Sequence, residues 1–170
     1  MSALVQLFLD IMLMRRGPQD VPASTALCAV CTVAYALLGF LSVLLNSPPV
    51  LALAQTVLDL VLLTGFTQVL LGAHRHRARF LQTYTALTGT GALFAIAAAP
   101  VLLAFPNDPG QGTPSLVAFL YFGLVIWSIA VMGHVYAQAL STARGRGLAW
   151  SIAYFVLSFV ALAFLYAQFD

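Results

Sequence analysis

Asp59 and His134 are two ionisable residues that fall inside long apolar stretches of this 170-residue chain, and they are the first candidates for chemistry. A titratable side chain in hydrocarbon is expensive, and is kept where it faces a partner, a water-filled cavity or an ion path. At 1.5 Å rise per residue, counted from the ends of these stretches that carry no arginine, Asp59 lies about 14 Å deep and His134 about 28 Å. They do not meet, so a two-group acid–base site is not expected. Tyr35 and Ser158 reach the depth of Asp59, and Gln55 lies one turn from it on the same helix face. These three are the expected polar neighbours of the carboxyl. His134 shares a face with Gly123, Trp127, Ala130 and Gln138. A hydroxyl at similar depth, such as that of Thr64, Thr88 or Tyr154, is its expected partner.

Other reactive types are weaker candidates. Cys28 and Cys31 form a lone CxxC inside an apolar helix. Thioredoxin-like chemistry wants that pair at an exposed helix start, and a zinc site wants four ligands. They read as small apolar fillers. "TGTG" at 88–91 reads as close helix packing, because transporters that unwind a helix at the substrate pair two such interruptions. No nucleophile–base spacing, phosphate loop or metal-ligand cluster appears, so catalytic residues, cofactors and metals are not expected, and neither is an enzyme.

Composition explains why these groups sit in hydrocarbon. The chain is 62% hydrophobic and 7% charged, too few charges to cover a water-facing surface. Five apolar stretches are long enough to span, at about 24–45, 50–71, 81–105, 115–140 and 148–167. Without water to satisfy the backbone these must be helices, which predicts an all-α bundle of five transmembrane helices. Turn formers separate them: "NSPP", "PNDPGQGTP" and "TARGRG". The chain has no lysine and seven arginines: Arg15, Arg16, Arg75, Arg77, Arg79, Arg144 and Arg146. All seven fall on one side of a five-span arrangement. Arginine-rich short loops stay in the cytoplasm, which predicts an N-in/C-out topology and arginine contacts with anionic headgroups or partners.

Residues 1–23 are expected to form an interfacial helix and linker ahead of the membrane domain, 24–170. Ser2, Gln6 and Asp10 give "MSALVQLFLDIMLM" one polar stripe on an apolar helix too short to span. Asp20 or Ser24 is the expected cap after "GPQDVPAS". In the first span Thr25, Cys28, Thr32, Tyr35, Gly39, Ser42 and Asn46 recur by threes and fours as one small and polar seam. The fifth repeats it with Ser151, Tyr154, Ser158, Ala161 and Leu165. Such seams let helix backbones approach in lipid. Gly39 is expected at a close contact, with Leu37, Leu41 and Leu44 toward lipid.

"RFLQTYTALTGTGALFAIAAAPV" after one basic turn, and "VIWSIAVMGHVYAQALSTARGRGLAWSIAYFVL" across another, resemble the YIP family (Yip/Yif membrane domain proteins) in its prokaryotic form. The likeness runs over nearly the whole chain and rests on hydropathy, helix order and the placing of polar, Gly and Pro residues. It implies a cytoplasmic N-terminus, five spans and a scaffold or adaptor that organises other membrane components. The alternative from the residues themselves is a small transporter or channel using Asp59 and the polar seam of the first span. The expected setting is a bacterial inner membrane. Lipid and other membrane proteins are the expected partners, a homo-oligomer is allowed, and nucleic acid is not expected. If the arginines set topology, a reporter active only in the cytoplasm works after Arg77 or Arg146, and one active only outside works at Asp108 or Asp170. A cytoplasmic signal at Asp170 would overturn the five-span N-in arrangement.

Overall fold

The computed structural model describes residues 2–104 and 115–168, so the "PNDPGQGTP" turn and Asp170 lie outside the described residues. Six helices form: α1 (Ser2–Met12), α2 (Thr25–Leu44), α3 (Pro49–Ala73), α4 (Phe80–Leu103), α5 (Ser115–Ala139) and α6 (Arg144–Tyr166), with no strand among the described residues. Helices α2 to α6 are each long and apolar enough to cross a membrane. The outer surface is apolar, as a lipid-facing one must be: Phe119 is 74% exposed and Val69 72%. Helix α6 begins at Arg144 and not near 148. The charged residues mark the hydrocarbon boundary, and the helix continues past it.

Local chemistry fixes the ends. Ser24 caps α2 by accepting from the Leu27 amide at 3.3 Å, while Asp20 accepts from Gly17 at 2.9 Å and closes the preceding 3-10 turn. Pro49 opens α3 with the fixed φ that a first turn needs. The three arginine-bearing turns share one device. Met14, Arg75 and Ser141 each adopt a left-handed backbone, with φ of 57°, 60° and 53°. In each turn the next amide reaches back five residues: Arg15 to the Asp10 carbonyl, His76 to Leu71 and Thr142 to Ala137. This is the Schellman ending, built here without the glycine that usually relieves its strain.

Helix α4 is the centre, packed on α1, α2, α3 and α5. Every residue from Thr83 to Thr90 is buried. Its threonines need not seek partners elsewhere: Thr83, Thr85, Thr88 and Thr90 each donate to the carbonyl four residues back. Glycines make the close approaches. A Cβ on Gly89 would run into the Phe8 ring, and one on Gly91 would lie 2.6 Å from the Tyr35 ring. "TGTG" is thus a continuous packing surface with two ring-sized notches. The α5–α6 hairpin is tightest at Gly133 and Gly147, where a Gly147 Cβ would strike the Gly133 carbonyl and lie 2.6 Å from the Ala137 nitrogen.

Two expectations are corrected. Gly39 is not at a close contact: a Cβ there meets nothing within 4 Å, because that face of α2 borders a cavity. Leu37 and Leu41 do point outward, at 58% and 54% exposed, whereas Leu44 is half-buried. Helix α1 also packs on protein. Leu7, Phe8, Ile11 and Met12 are buried, and α1 packs on α4 and α5. Phe8 meets Gly89 nine residues along α4, about 14 Å from the arginine end. On the fifth span the inward seam of Ser151, Tyr154, Ser158, Ala161 and Leu165 is as expected, with Ser151 and Tyr154 buried and the other three half-buried.

Overpacking a tight contact costs about 1–3 kcal/mol, while filling open space does not. Gly147→Leu should therefore lower the melting temperature in detergent markedly, and Gly39→Leu should leave it near the parent value. Equal sensitivity of the two positions would contradict this packing.

Candidate functional site

Asp59 sits on α3, eleventh of its 25 residues, and is held by tyrosines from two other helices. The Tyr35 hydroxyl on α2 donates to one carboxyl oxygen at 2.5 Å. The Tyr154 hydroxyl on α6 donates to the other at 2.9 Å. Asp59 thereby ties α2, α3 and α6 together near mid-depth. Hydrogen bonds to a charged group contribute about 1.5–3 kcal/mol, and an unmatched buried polar atom costs a similar amount. Tyr35 was expected from its depth. Tyr154 takes the role expected of Ser158, which lies one turn further on the same face and lines a cavity beside the carboxyl. Gln55 lines the cavity beside Asp59 but bonds a different group: its Oε1 accepts from the Tyr166 hydroxyl at 3.0 Å.

Two cavities share Asp59, Tyr35, Phe94 and Ser128 as a common wall. The first, about 370 Å³, extends from Asp59 toward the end without arginines, past Gly39, Ser42, Ala98 and Tyr121. The second, about 310 Å³, extends toward the arginine end, past Leu63, Leu87, Met132 and Ser151. Together they place the carboxyl at a partition along the bundle axis. In the first cavity Ser42, Thr56 and Ser128 donate their hydroxyl protons to carbonyls of their own helices, at 2.8 Å each. Their oxygen lone pairs remain available as acceptors.

His134 belongs to a different arrangement. Its partner is the Arg16 carbonyl at 2.9 Å, reached through Nε2, and not Thr64, Thr88 or Tyr154. Those three are engaged elsewhere: Thr64 donates to the Tyr84 hydroxyl, Thr88 to the Tyr84 carbonyl, and Tyr154 to Asp59. With the Trp127 indole donating to the Met12 carbonyl at 3.0 Å, His134 fastens the end of α1 to α5.

The arginines gather at one end of the bundle, where Arg79 from the α3–α4 turn reaches α5. Its guanidinium donates to the Ala139 carbonyl and the Ser141 hydroxyl, both at 2.8 Å, and so caps α5 against its dipole. Arg16 pairs with Asp10 at 3.4 Å. Arg15, Arg75, Arg77, Arg144 and Arg146 are exposed, and their side chains make no ion pair among the described residues. Neither cysteine is bonded, and no group of three potential metal ligands occurs among the described residues.

The fold and composition define an all-α integral membrane protein with five membrane-spanning helices. Compared with protein-family models, curated proteins and solved structures, the chain finds no match.

If the tyrosine bonds carry weight, Tyr35→Phe and Tyr154→Phe should each destabilise the protein by about 1–3 kcal/mol. Tyr35→Phe should cost clearly less when Asp59 is already Asn, a coupling read from a double-mutant cycle of unfolding in detergent. Strict additivity would show that the Tyr35–Asp59 bond contributes nothing.

Proposed function

We propose that this chain is a small membrane transporter or channel in which Asp59 is the group that binds and releases a proton or small cation. The observation that carries this reading is the partition: one carboxyl, held by two tyrosines, forms part of the wall shared by a cavity on either side of it along the bundle axis. A purely structural tie needs the hydrogen bonds but not the cavities. Intramembrane carboxyls that border open space are where ion and proton paths are built.

The arginine end faces the cytoplasm in this reading, following the bias of short arginine-rich loops, and a bacterial inner membrane is the setting. Helix α1 is wedged at the arginine side of the bundle, with Leu4, Val5, Leu9 and Leu13 facing outward into lipid.

A second reading has a specific observation behind it. Arg15, Arg75, Arg77, Arg144 and Arg146 present exposed, unneutralised charge at one end, which suits anionic headgroups or an acidic partner. An adaptor of the YIP type would use that end. The YIP likeness adds helix order and hydropathy to this argument and nothing at the level of individual side chains.

The two separate on one variant. In proteoliposomes with an entrapped pH-sensitive dye, run under gradients of protons, sodium and a monovalent organic ammonium ion, the parent chain should carry flux that Asp59→Asn lowers at least about tenfold. Asn keeps the shape and a hydrogen-bond acceptor, so the melting temperature checks that the bundle survives. Parent-level flux in Asp59→Asn, or none in the parent, would overturn the transport reading. Recovery of a stoichiometric membrane partner lost on Arg75→Ala/Arg77→Ala would favour the adaptor.

A further inference from the structure

We propose that the larger cavity is a binding site for a lipophilic organic monocation, an alkyl or aryl ammonium with its charged head at Asp59. This rests on the transport reading and names the class of solute.

The sign of the ligand follows from the hydrogen-bond inventory. The hydroxyl protons of Tyr35 and Tyr154 are spent on Asp59, and those of Ser42, Thr56 and Ser128 on main-chain carbonyls. These groups leave a guest oxygen lone pairs and the remaining capacity of one carboxyl, and the Gln55 amide, whose Oε1 is taken by Tyr166, adds only neutral N–H donors. Among the described residues no arginine or histidine lines the cavity. An anion would find no counter-charge there, whereas a cation finds one acidic group and no competitor.

The charge and hydration of the ligand follow from the walls. One carboxyl balances one positive charge. A hard divalent ion takes about six to eight oxygen ligands, and no cluster of three acidic, His or Cys side chains exists among the described residues to supply them. Away from Asp59 the lining is mostly apolar, with Ala95, Ala98, Leu102, Leu124 and Val125 set among a few neutral polar groups. That surface rewards an apolar body and gives nothing to a hydrated ion. The rings of Tyr35 and Phe94 also border the space beside the carboxyl, and aromatic faces attract weakly hydrated ammonium heads. The volume of about 370 Å³ falls within the range of small-molecule pockets. Helix α4 leaves this room because it carries alanine at 95 and 98, where a larger residue would fill it.

Within the transport reading, the cation and a proton compete for the same carboxyl. Cation arrival displaces one proton to the aqueous phase, and its departure allows one proton to return. Charge at Asp59 is balanced in both states.

The test uses benzyltrimethylammonium and its neutral carbon isostere, neopentylbenzene, on the full chain in lipid nanodiscs, by calorimetry and thermal stabilisation. The cation should bind and raise the melting temperature, and the isostere should bind at least about tenfold more weakly, a difference of 1.4 kcal/mol. Asp59→Asn should erase that preference. Ala98→Leu, which fills the larger cavity and leaves Asp59 and both tyrosines untouched, should weaken the cation while the fold persists, and this keeps the test decisive if Asp59→Asn does not fold. Equal binding of the two probes, unchanged cation affinity in Ala98→Leu, or displacement of the cation by millimolar sodium or magnesium would each overturn the proposal. Asp59-dependent proton flux with no cation binding would sink this inference and leave the transport reading standing. Cation binding without flux would sink the transport reading, and with it the exchange step.

Discussion

Lipid offers a polypeptide neither hydrogen-bond partners nor a hydrophobic drive for one helix to seek another, and both deficits shape this bundle. The first is met locally. Thr32, Ser42, Thr56 and the buried threonines of α4 return their protons to carbonyls four residues back, so few side chains need a partner on another helix. The second is met by contour. Gly89 and Gly91 admit Phe8 and Tyr35 as rings into α4, and Gly133 and Gly147 let α5 and α6 touch almost backbone to backbone. Polar links between helices are consequently few, and each fixes a geometry. Asp59 joins three helices, Thr67 and Tyr136 join α3 to α5 at 3.1 Å, and His134 and Trp127 hold α1.

Much of this was legible because membrane spans are written in length and hydropathy. The five helices and the gathering of arginines at one end follow from residue counts and turn formers, and the bounds differ at the ends by a turn or less. Depth was legible too, since rise per residue is constant, and it identified Tyr35 as a neighbour of Asp59. Azimuth was not. Ser158 and Tyr154 lie one turn apart on one face of α6, and which reaches Asp59 depends on side-chain length: a tyrosine spans a gap that a serine does not. The same limit explains Gly39. Its place in the seam marks it as inward-facing, but inward here means a cavity, and no pattern on α2 reports how far away α4 and α5 lie.

The remaining misses share another cause, main-chain atoms acting as partners. A search among side chains for the partner of His134 could not find the Arg16 carbonyl, because every residue has one. The Schellman ending with Met14, Arg75 and Ser141 in the left-handed region produced no glycine signal to read. The first detail depends on α1 folding back against the bundle. The polar stripe of Ser2, Gln6 and Asp10 shows that α1 is amphipathic, but an amphipathic helix can rest on headgroups or on protein. The partner surface was on α4, where Gly89 lies among small residues and leaves a socket that the Phe8 ring fills.

The tie and the cavity at Asp59 bear on each other. A carboxyl satisfied by two tyrosine hydroxyls is stable without a guest, so the bundle does not require occupancy to hold its shape. Those bonds also oppose any rearrangement that separates α2 or α6 from α3. In the proposed transport cycle, a ligand that neutralises the carboxyl weakens both bonds at once, because a hydroxyl donates more strongly to an anion than to a neutral acid. Neutralising one group would then loosen two helices. The two cavities lie on opposite sides of that joint, and loosening it is the smallest change that would let one open as the other closes. A tie made of serine and backbone would lack this property, since its strength would not depend on charge. A joint of one carboxyl and two phenols is therefore one whose strength depends on the charge of a single group, which is the property the proposed transport cycle would use.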